Sequence, residues 1–370
     1  MKLLQFRTLW GVTDECDGPA ARSPVHTMEE TIPLLAQLGF DGIEIPFKLL
    51  LFHGVERMTK LLVENNMKCN VMIFTDNVVC PGAGILWGGP YEGYTAPPTE
   101  PKGGVLDMDG REGDAFADMH FDVWKEQVNK ASFWKHRFGL PLHLIVSHSG
   151  RDFFTARMAE QFFRCALAFE VYAGEVPICH ETHRSRILYS PWRTIEILKN
   201  FPSLKLCADF SHWVCVSESM DGNVSKAIEF CSKNVYHTHC RVGHEQGSQV
   251  PDPRADEWLG HVEQHETWWN KIWQLQKARG DKITSMIAEH GPPPYQICQP
   301  GGAKEPLAKI WEVNHWIHLR RQRKFLEMFG SENASHVKEL PSFAENVLAV
   351  LAMRDKKIAG TSVQNDVLMN

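Results

Sequence analysis

The chain reads as an α/β protein: a single (β/α)8 barrel with a long loop after the third strand and a C-terminal helical extension. Three observations predict this. Short apolar runs alternate with helical patterns along nearly all of the 370 residues, the rhythm of βα units. The runs are continuously apolar, as strands covered on both faces should be. Eight such strand–helix pairs can be counted, the number that closes this type of barrel. Barrels of this kind carry their chemistry on the face where the strands end, so the strand ends are where candidate residues are sought.

LLQFRTLWG is the first strand. Thr27 opens a helix with Glu30 three residues on, a capping-box spacing; Ile32, Leu35 and Leu38 follow at helical intervals and Gly39 is a stop signal. GFDGIEIPF is the second strand, ending near Glu44, and VERMTKLLVENN the second helix. KCNVMIF is the third strand. Residues 76–114 are then crowded with Gly and Pro. A loop of this length in a compact domain is usually functional or disordered. It follows a strand, so it is expected on the catalytic face as a lid or wall, with Trp87, Tyr91 and Tyr94 as candidate substrate-facing aromatics; a surface insertion is the plainer reading. A long helix is expected near 115–137. PLHLIVSH is strand four and ends at His148. VPICHE, LKLCAD, VYHTH and ITSMIAE are strands five to eight, with helices between them and a second long connection at 242–258. The segment EPLAKIWEVNHWIHLRRQRKFLEMF closes the barrel. The expected division is residues 1–330 as the barrel and 331–370 as the extension, which is amphipathic and suited to pack on the barrel or on a second subunit.

The strongest signal is what ends the last four strands. Glu181, Asp209, His239 and Glu289 arrive at steps of 28, 30 and 50 residues (209−181, 239−209, 289−239), against roughly 30 residues for a strand with its return helix. Three carboxylates and one imidazole converging at one barrel mouth make an oxygen-rich site for one divalent metal ion; Mn, Mg or Co suits such ligands, and Zn is also accepted. His237 and His239 alternate along strand seven and so share a face. The one nearer the strand end reaches the mouth, which favours His239 as ligand and leaves His237 deeper. Arg241 continues that alternation outward and is suited to hold a hydroxyl, carboxylate or phosphate. His212, three residues after Asp209, could turn back over the site. His148, ending strand four, is a fifth candidate, as a second-site metal ligand or a substrate contact; Glu44 and Trp10, at the ends of strands two and one, complete the set of substrate-contact candidates with Trp87. Each of these has a plain structural alternative as a packing, capping or solvated side chain; the joint register of the four strand ends is what raises them above it.

Composition narrows the function classes. The formal charge of −6 and pI near 6.3 argue against binding driven by the nucleic-acid backbone, which wants a basic face. No run of about 20 apolar residues is present to span a membrane, and the opening residues lack a signal-peptide pattern. Cys69, Cys179 and Cys207 sit inside apolar runs, where a thiol behaves as a small hydrophobe. The expectation is a reduced, cytoplasmic enzyme for a small-molecule ligand, with a homo-oligomer left open.

These same residues resemble the xylose isomerase-like barrel superfamily, especially its sugar epimerase and isomerase branch, which includes ketose 3-epimerases, hydroxypyruvate isomerase and inosose dehydratase. The resemblance rests on Glu181 in ICHETH, Asp209 and His212 in DFSH, His239 in HTHCR and Glu289 in AEHGPPPY. It implies one divalent metal held by Glu181, Asp209, His239 and Glu289. It also implies proton transfer through a metal-stabilised enediolate, with Glu181 and Glu289 exchanging the protons. Isomerisation and epimerisation share these residues. So does loss of a β-hydroxyl, which makes a dehydratase or lyase acting on an inosose or a dehydroshikimate-like acid the first alternative. An endonuclease-IV-like DNA repair enzyme shares the Asp-x-x-His pattern and a strand-four histidine. It needs further metal ligands that FTDN at the end of strand three and the segment after His239 do not supply. A non-catalytic barrel is the remaining alternative.

Overall fold

The computed structural model describes residues 1–12, 27–75, 110–173, 176–298 and 309–330. Eight parallel strands close into a barrel in sequence order: β1 (Lys2–Thr8), β2 (Gly42–Pro46), β3 (Lys68–Phe74), β4 (Leu142–His148), β5 (Ile178–Glu181), β6 (Leu206–Ala208), β7 (Val235–Cys240) and β8 (Ile283–Ala288). Closure is made by β1 on β8, from Lys2 opposite Ile283 to Arg7 opposite Ala288.

Side chains alternate along each strand. One set faces the helices and builds the main core, which includes Trp124, Phe162, Phe163, Trp213 and Trp273, all at most 1% exposed. The other set fills the barrel interior. Its lower part is apolar, with Met72, Leu144, Val146, Cys179 and Cys207 in one cluster and Leu4, Phe6 and Ile287 in another. Its upper part is polar and forms the site described below. Filling the interior with side chains makes it a packed core rather than a pore.

The capping box at Thr27 forms as the spacing predicts: Glu30 N–H donates to Thr27 Oγ1 (3.3 Å), and Thr27 N–H donates to Glu30 Oε2 (3.4 Å). The expected long helix spans Arg111–Phe138, so the end of the expected loop 76–114 is helical; residues 76–109, with Trp87, Tyr91 and Tyr94, lie outside the described residues, as does the extension at 331–370. The closing helix runs Ile310–Phe329. Two short helices, Phe47–His53 and Phe210–Ser217, stand where no helix was expected. The described cysteines are all free thiols. No helix among the described residues is long and apolar enough to cross a membrane.

Candidate metal centre

The last four strands end at one mouth, and the ends are tied together. β6 stops at Ala208, so Asp209 stands one residue past it and caps the helix Phe210–Ser217. Its Oδ1 accepts the Ser211 N–H (3.0 Å) and the Ser211 hydroxyl (2.5 Å). Thr182, just after β5, clamps the same residue: its hydroxyl donates to the Asp209 carbonyl (3.0 Å) and accepts the Asp209 N–H (2.8 Å). Strand alternation turns His237 and His239 inward from β7, and Glu289 follows β8 by one residue.

The side chains meet. His239 Nδ1 lies 2.9 Å from Glu289 Oε2 and 3.5 Å from Glu181 Oε1. Glu181, Asp209 and His239 each bring a ligand atom within 4.8 Å of the others. Arg241 bridges the outer two carboxylates, Nε to Asp209 Oδ2 at 3.0 Å and Nη2 to Glu289 Oε1 at 2.9 Å. All of these residues are at most 4% exposed.

Burial on this scale fixes the charges. Burial alone would raise the Glu181 carboxyl, but the His148 and His239 imidazoles beside it outweigh that and hold it well below the ordinary carboxylate range. Asp209 goes the other way: burial lifts it to about 6, against the pull of Arg241. Burial also opposes the charge on His239, yet the Cys207 thiol and the carboxylates of Glu289, Glu44 and Glu181 raise it well above the usual imidazole range.

The residues fit a divalent cation on a structural criterion. Glu181 Oε2, Glu289 Oε2 and both ring nitrogens of His239 have no aligned hydrogen bond among the described residues, although they approach other polar atoms closely. Buried polar atoms are rarely left so. Of these atoms His239 Nδ1 and Glu289 Oε2 face the centre, whereas Glu181 Oε2 faces His148 and His239 Nε2 faces Glu44; with Glu181 Oε1 and Asp209 beside them, they give the centre the donor set of an ion site.

The other expected residues are placed as follows. His148 reaches Glu181 Oε2 with Nε2 at 2.7 Å. His212 sits in the first turn after Asp209, its Nε2 3.4 Å from Asp209 Oδ2, and burial and the nearby His183 push it well below its usual range. Trp10 lies two residues past β1, edge-on to Tyr295 at 5.1 Å, with the Arg241 guanidinium 5.5 Å from its ring. Glu44 does not stand with the others at the mouth. It is in register with Asn70, and Asn70 with Leu144, four residues below His148 (148−144). From there it reaches upward, Oε1 to His239 Nε2 at 3.1 Å and Oε2 to His237 Nε2 at 3.2 Å, while His237 Nδ1 meets Ser285 Oγ at 2.8 Å. Burial opposes its charge, but His239 and His237 bring its pKa down to about 2. Glu44 thus braces the underside of His239 instead of lining the mouth, and His237 belongs to that lower row.

Three residues at this mouth were not singled out from the sequence. His183 stacks on His212 with ring centroids 3.9 Å apart; the only signal for it was the second histidine of HETH. Tyr295 packs against Trp10 and lies 4.7 Å from the Arg241 guanidinium; it follows the three prolines after Glu289. Gln249, in the 242–258 connection, accepts from Arg241 Nη1 (3.3 Å) and from the Gly291 N–H (2.7 Å), and nothing in its sequence context marks it.

Known structures share this architecture. D-allulose 3-epimerase from Methylomonas sp., solved in complex with D-allulose, superposes with a TM-score of 0.52 at 14% identity, covering 87% of this chain and 97% of that one. The chain shares that protein's closed (β/α)8 barrel fold. Two further matches are looser: a 3-keto-D-glucoside 4-epimerase from E. coli (TM-score 0.45, 12% identity, 87% and 99% covered) and a probable 3-DHS dehydratase from Bacillus anthracis (0.44, 13%, 84% and 98%). No family model and no curated protein sequence matches the chain.

Proposed function

We propose that this chain is a divalent-metal-dependent isomerase or epimerase that moves a proton beside the carbonyl of a sugar or polyhydroxy-ketone. One observation carries the reading: three carboxylates and an imidazole from four successive strand ends converge (Glu181, Asp209, His239, Glu289), and His239 Nδ1 and Glu289 Oε2 meet there without an aligned hydrogen bond. The donor set is oxygen-rich, which suits Mn, Mg or Co, and accepts Zn. When bound, the ion would supply the Lewis acidity that makes a C–H next to a carbonyl acidic.

The chain's own groups do the rest. Glu181 and Glu289 both approach His239 Nδ1, so each can take or return a proton at a substrate carbon. The Glu44 carboxylate lies 3.1 Å behind His239 Nε2, and Nδ1 is directed at Glu181 and Glu289; this is the side from which a carboxylate orients a ligating histidine. Trp10, Tyr295 and the Arg241 guanidinium form an amphipathic wall suited to a polyol face. Arg241 is fully engaged with Asp209, Glu289 and Gln249. It is therefore poorly placed to receive a substrate carboxylate, which argues against a dehydroshikimate-like acid and favours an uncharged polyhydroxy substrate. The barrel at 1–330 is the catalytic unit in this reading, and the free thiols suit a reducing compartment such as the cytoplasm.

Solvent exchange tests the reading directly. Metal-stripped protein reloaded with Mn(II) is incubated in D2O with a panel of ketoses and aldoses, and deuterium at the carbons beside the carbonyl is followed by NMR. Exchange is expected with the loaded protein and is expected to fall at least 100-fold in Glu289→Gln. Equal exchange with and without metal, or none across the panel, would overturn it; an ultraviolet-absorbing enone would transfer the site to the dehydratase class.

A further inference from the structure

The two oxygens of Glu181 face different groups. Oε1 points to His239 Nδ1 at 3.5 Å, on the side of Asp209 and Glu289, whereas Oε2 lies 2.7 Å from His148 Nε2. Three imidazoles lead on from that oxygen: His148 at the end of β4, His183 two residues past Glu181, and His212 in the turn after Asp209, whose Nε2 lies 3.4 Å from Asp209 Oδ2. The His148 and His183 ring centroids are 4.9 Å apart, and those of His183 and His212 3.9 Å. All three residues are at most 6% exposed.

Their nitrogens are not used up. Neither ring nitrogen of His148 or His212 makes an aligned hydrogen bond among the described residues, and the 2.7 Å approach of His148 to Glu181 is itself out of alignment. His183 is held differently: its Nδ1–H donates to the Arg184 carbonyl. That fixes the tautomer and leaves the Nε2 lone pair free, the arrangement in which a histidine ligates metal. Glu181, His183 and His212 already present ligand atoms within 4.8 Å of one another. Tetrahedral zinc with bonds of ~2.0–2.1 Å sets its ligand atoms ~3.4 Å apart, so small side-chain rotations close the set.

We propose that Glu181 is a bridging carboxylate and that His183 and His212, with His148 beside them, hold a second, nitrogen-rich transition-metal ion, zinc by preference. Imidazole donors select zinc or another late transition metal over magnesium and calcium, so this site differs in kind from the oxygen-rich one next to it. Carboxylate-linked ions stand ~3.5–4 Å apart in two-metal sites, and a single carboxylate group spans that gap. The bridging role rests on the metal reading of Glu181, Asp209, His239 and Glu289; the nitrogen-rich site does not.

Metal counting separates the two. The full chain is stripped with chelator, equilibrated with Zn(II), freed of excess and analysed for zinc per chain, alongside His183→Gln and Glu289→Gln. Two ions in wild type and one in each variant is the expected result. One ion in wild type that Glu289→Gln loses and His183→Gln keeps would overturn the second site and leave the first standing. One ion that His183→Gln loses and Glu289→Gln keeps would support the nitrogen-rich site and sink the proposed function's metal. No zinc in wild type overturns both. Should His183→Gln fail to fold, a Co(II) absorption titration of wild type and Glu289→Gln decides instead: an end point at two equivalents in wild type, or at one that Glu289→Gln keeps, supports the nitrogen-rich site, and one at a single equivalent that Glu289→Gln abolishes refutes it.

Discussion

Acid should destabilise this barrel through a histidine far from its mouth. His318 lies on the inner face of the closing helix, fully buried, 4.1 Å from the Phe40 ring centroid, with neither ring nitrogen hydrogen-bonded among the described residues. Burial, helped by His315, pushes its pKa down from 6.5 to about 3. The unfolded chain therefore binds this proton more readily than the folded one. The stability that neutral His318 supports is complete above about pH 6.5 and is lost as pH falls towards about 3. Between pH 8 and pH 5 the unfolded form gains about one and a half pK units of protonation that the folded form refuses. At ~1.4 kcal/mol per unit, this one side chain should cost about 2 kcal/mol of folding stability. His318→Phe removes the titration, keeps a ring against Phe40 and breaks no side-chain hydrogen bond. Urea unfolding of both proteins with chelator present, at pH 8 and pH 5, should show wild type losing about 2 kcal/mol more than the variant. Equal losses, within about 0.5 kcal/mol, would show that the imidazole is protonated or hydrated in the folded state and would refute the reasoning.

Two further outcomes follow from the mouth. Arg241→Ala leaves Asp209 and Glu289 buried without their guanidinium, which should cost ~3–5 kcal/mol in chelator; excess Mn(II) should recover much of that loss in urea unfolding, because an ion that binds only the folded state stabilises it. Gly291→Ala would put a Cβ 2.3 Å from Trp10 Cζ3 and 2.6 Å from its Cη2. Overpacking of this kind costs ~1–3 kcal/mol, so a lowered melting temperature and an altered near-ultraviolet tryptophan signal are expected, and an unchanged melt would mean that Trp10 has room to move.

The barrel was legible because its evidence is periodic. Strands buried on both faces must be apolar throughout, and eight of them recur at regular steps with helices between. The candidate ligands were legible for the same reason: a strand end fixes where a side chain is delivered without any knowledge of loops. Where the chain leaves that periodicity, sequence and structure part. The helix Phe210–Ser217 follows β6 directly and is apolar almost all round, so it carries no helical stripe to read. Its start signal, Asp209, also had a more conspicuous reading as a ligand. Glu44 looked like a mouth residue because it lies near the end of β2, but the stagger of the barrel puts that end lower than its neighbours, and only the register with Asn70 and Leu144 reveals it. His183, Gln249 and Tyr295 reach the site from turns whose direction is set by tertiary contacts: the Arg184 carbonyl, the Gly291 amide and the Trp10 ring.

Asp209 holds two offices at once, charge at the mouth and cap of the following helix. Asparagine caps a helix as well as aspartate does, and its side-chain oxygen can still accept the Ser211 N–H. One exchange of oxygen for nitrogen at Asp209 would therefore keep the helix cap while taking a negative charge from the mouth and turning an amide NH2 towards Arg241 Nε, which donates to Asp209 Oδ2. Cap and charge are separable by a single atom, and the buried guanidinium is the group that would register the difference.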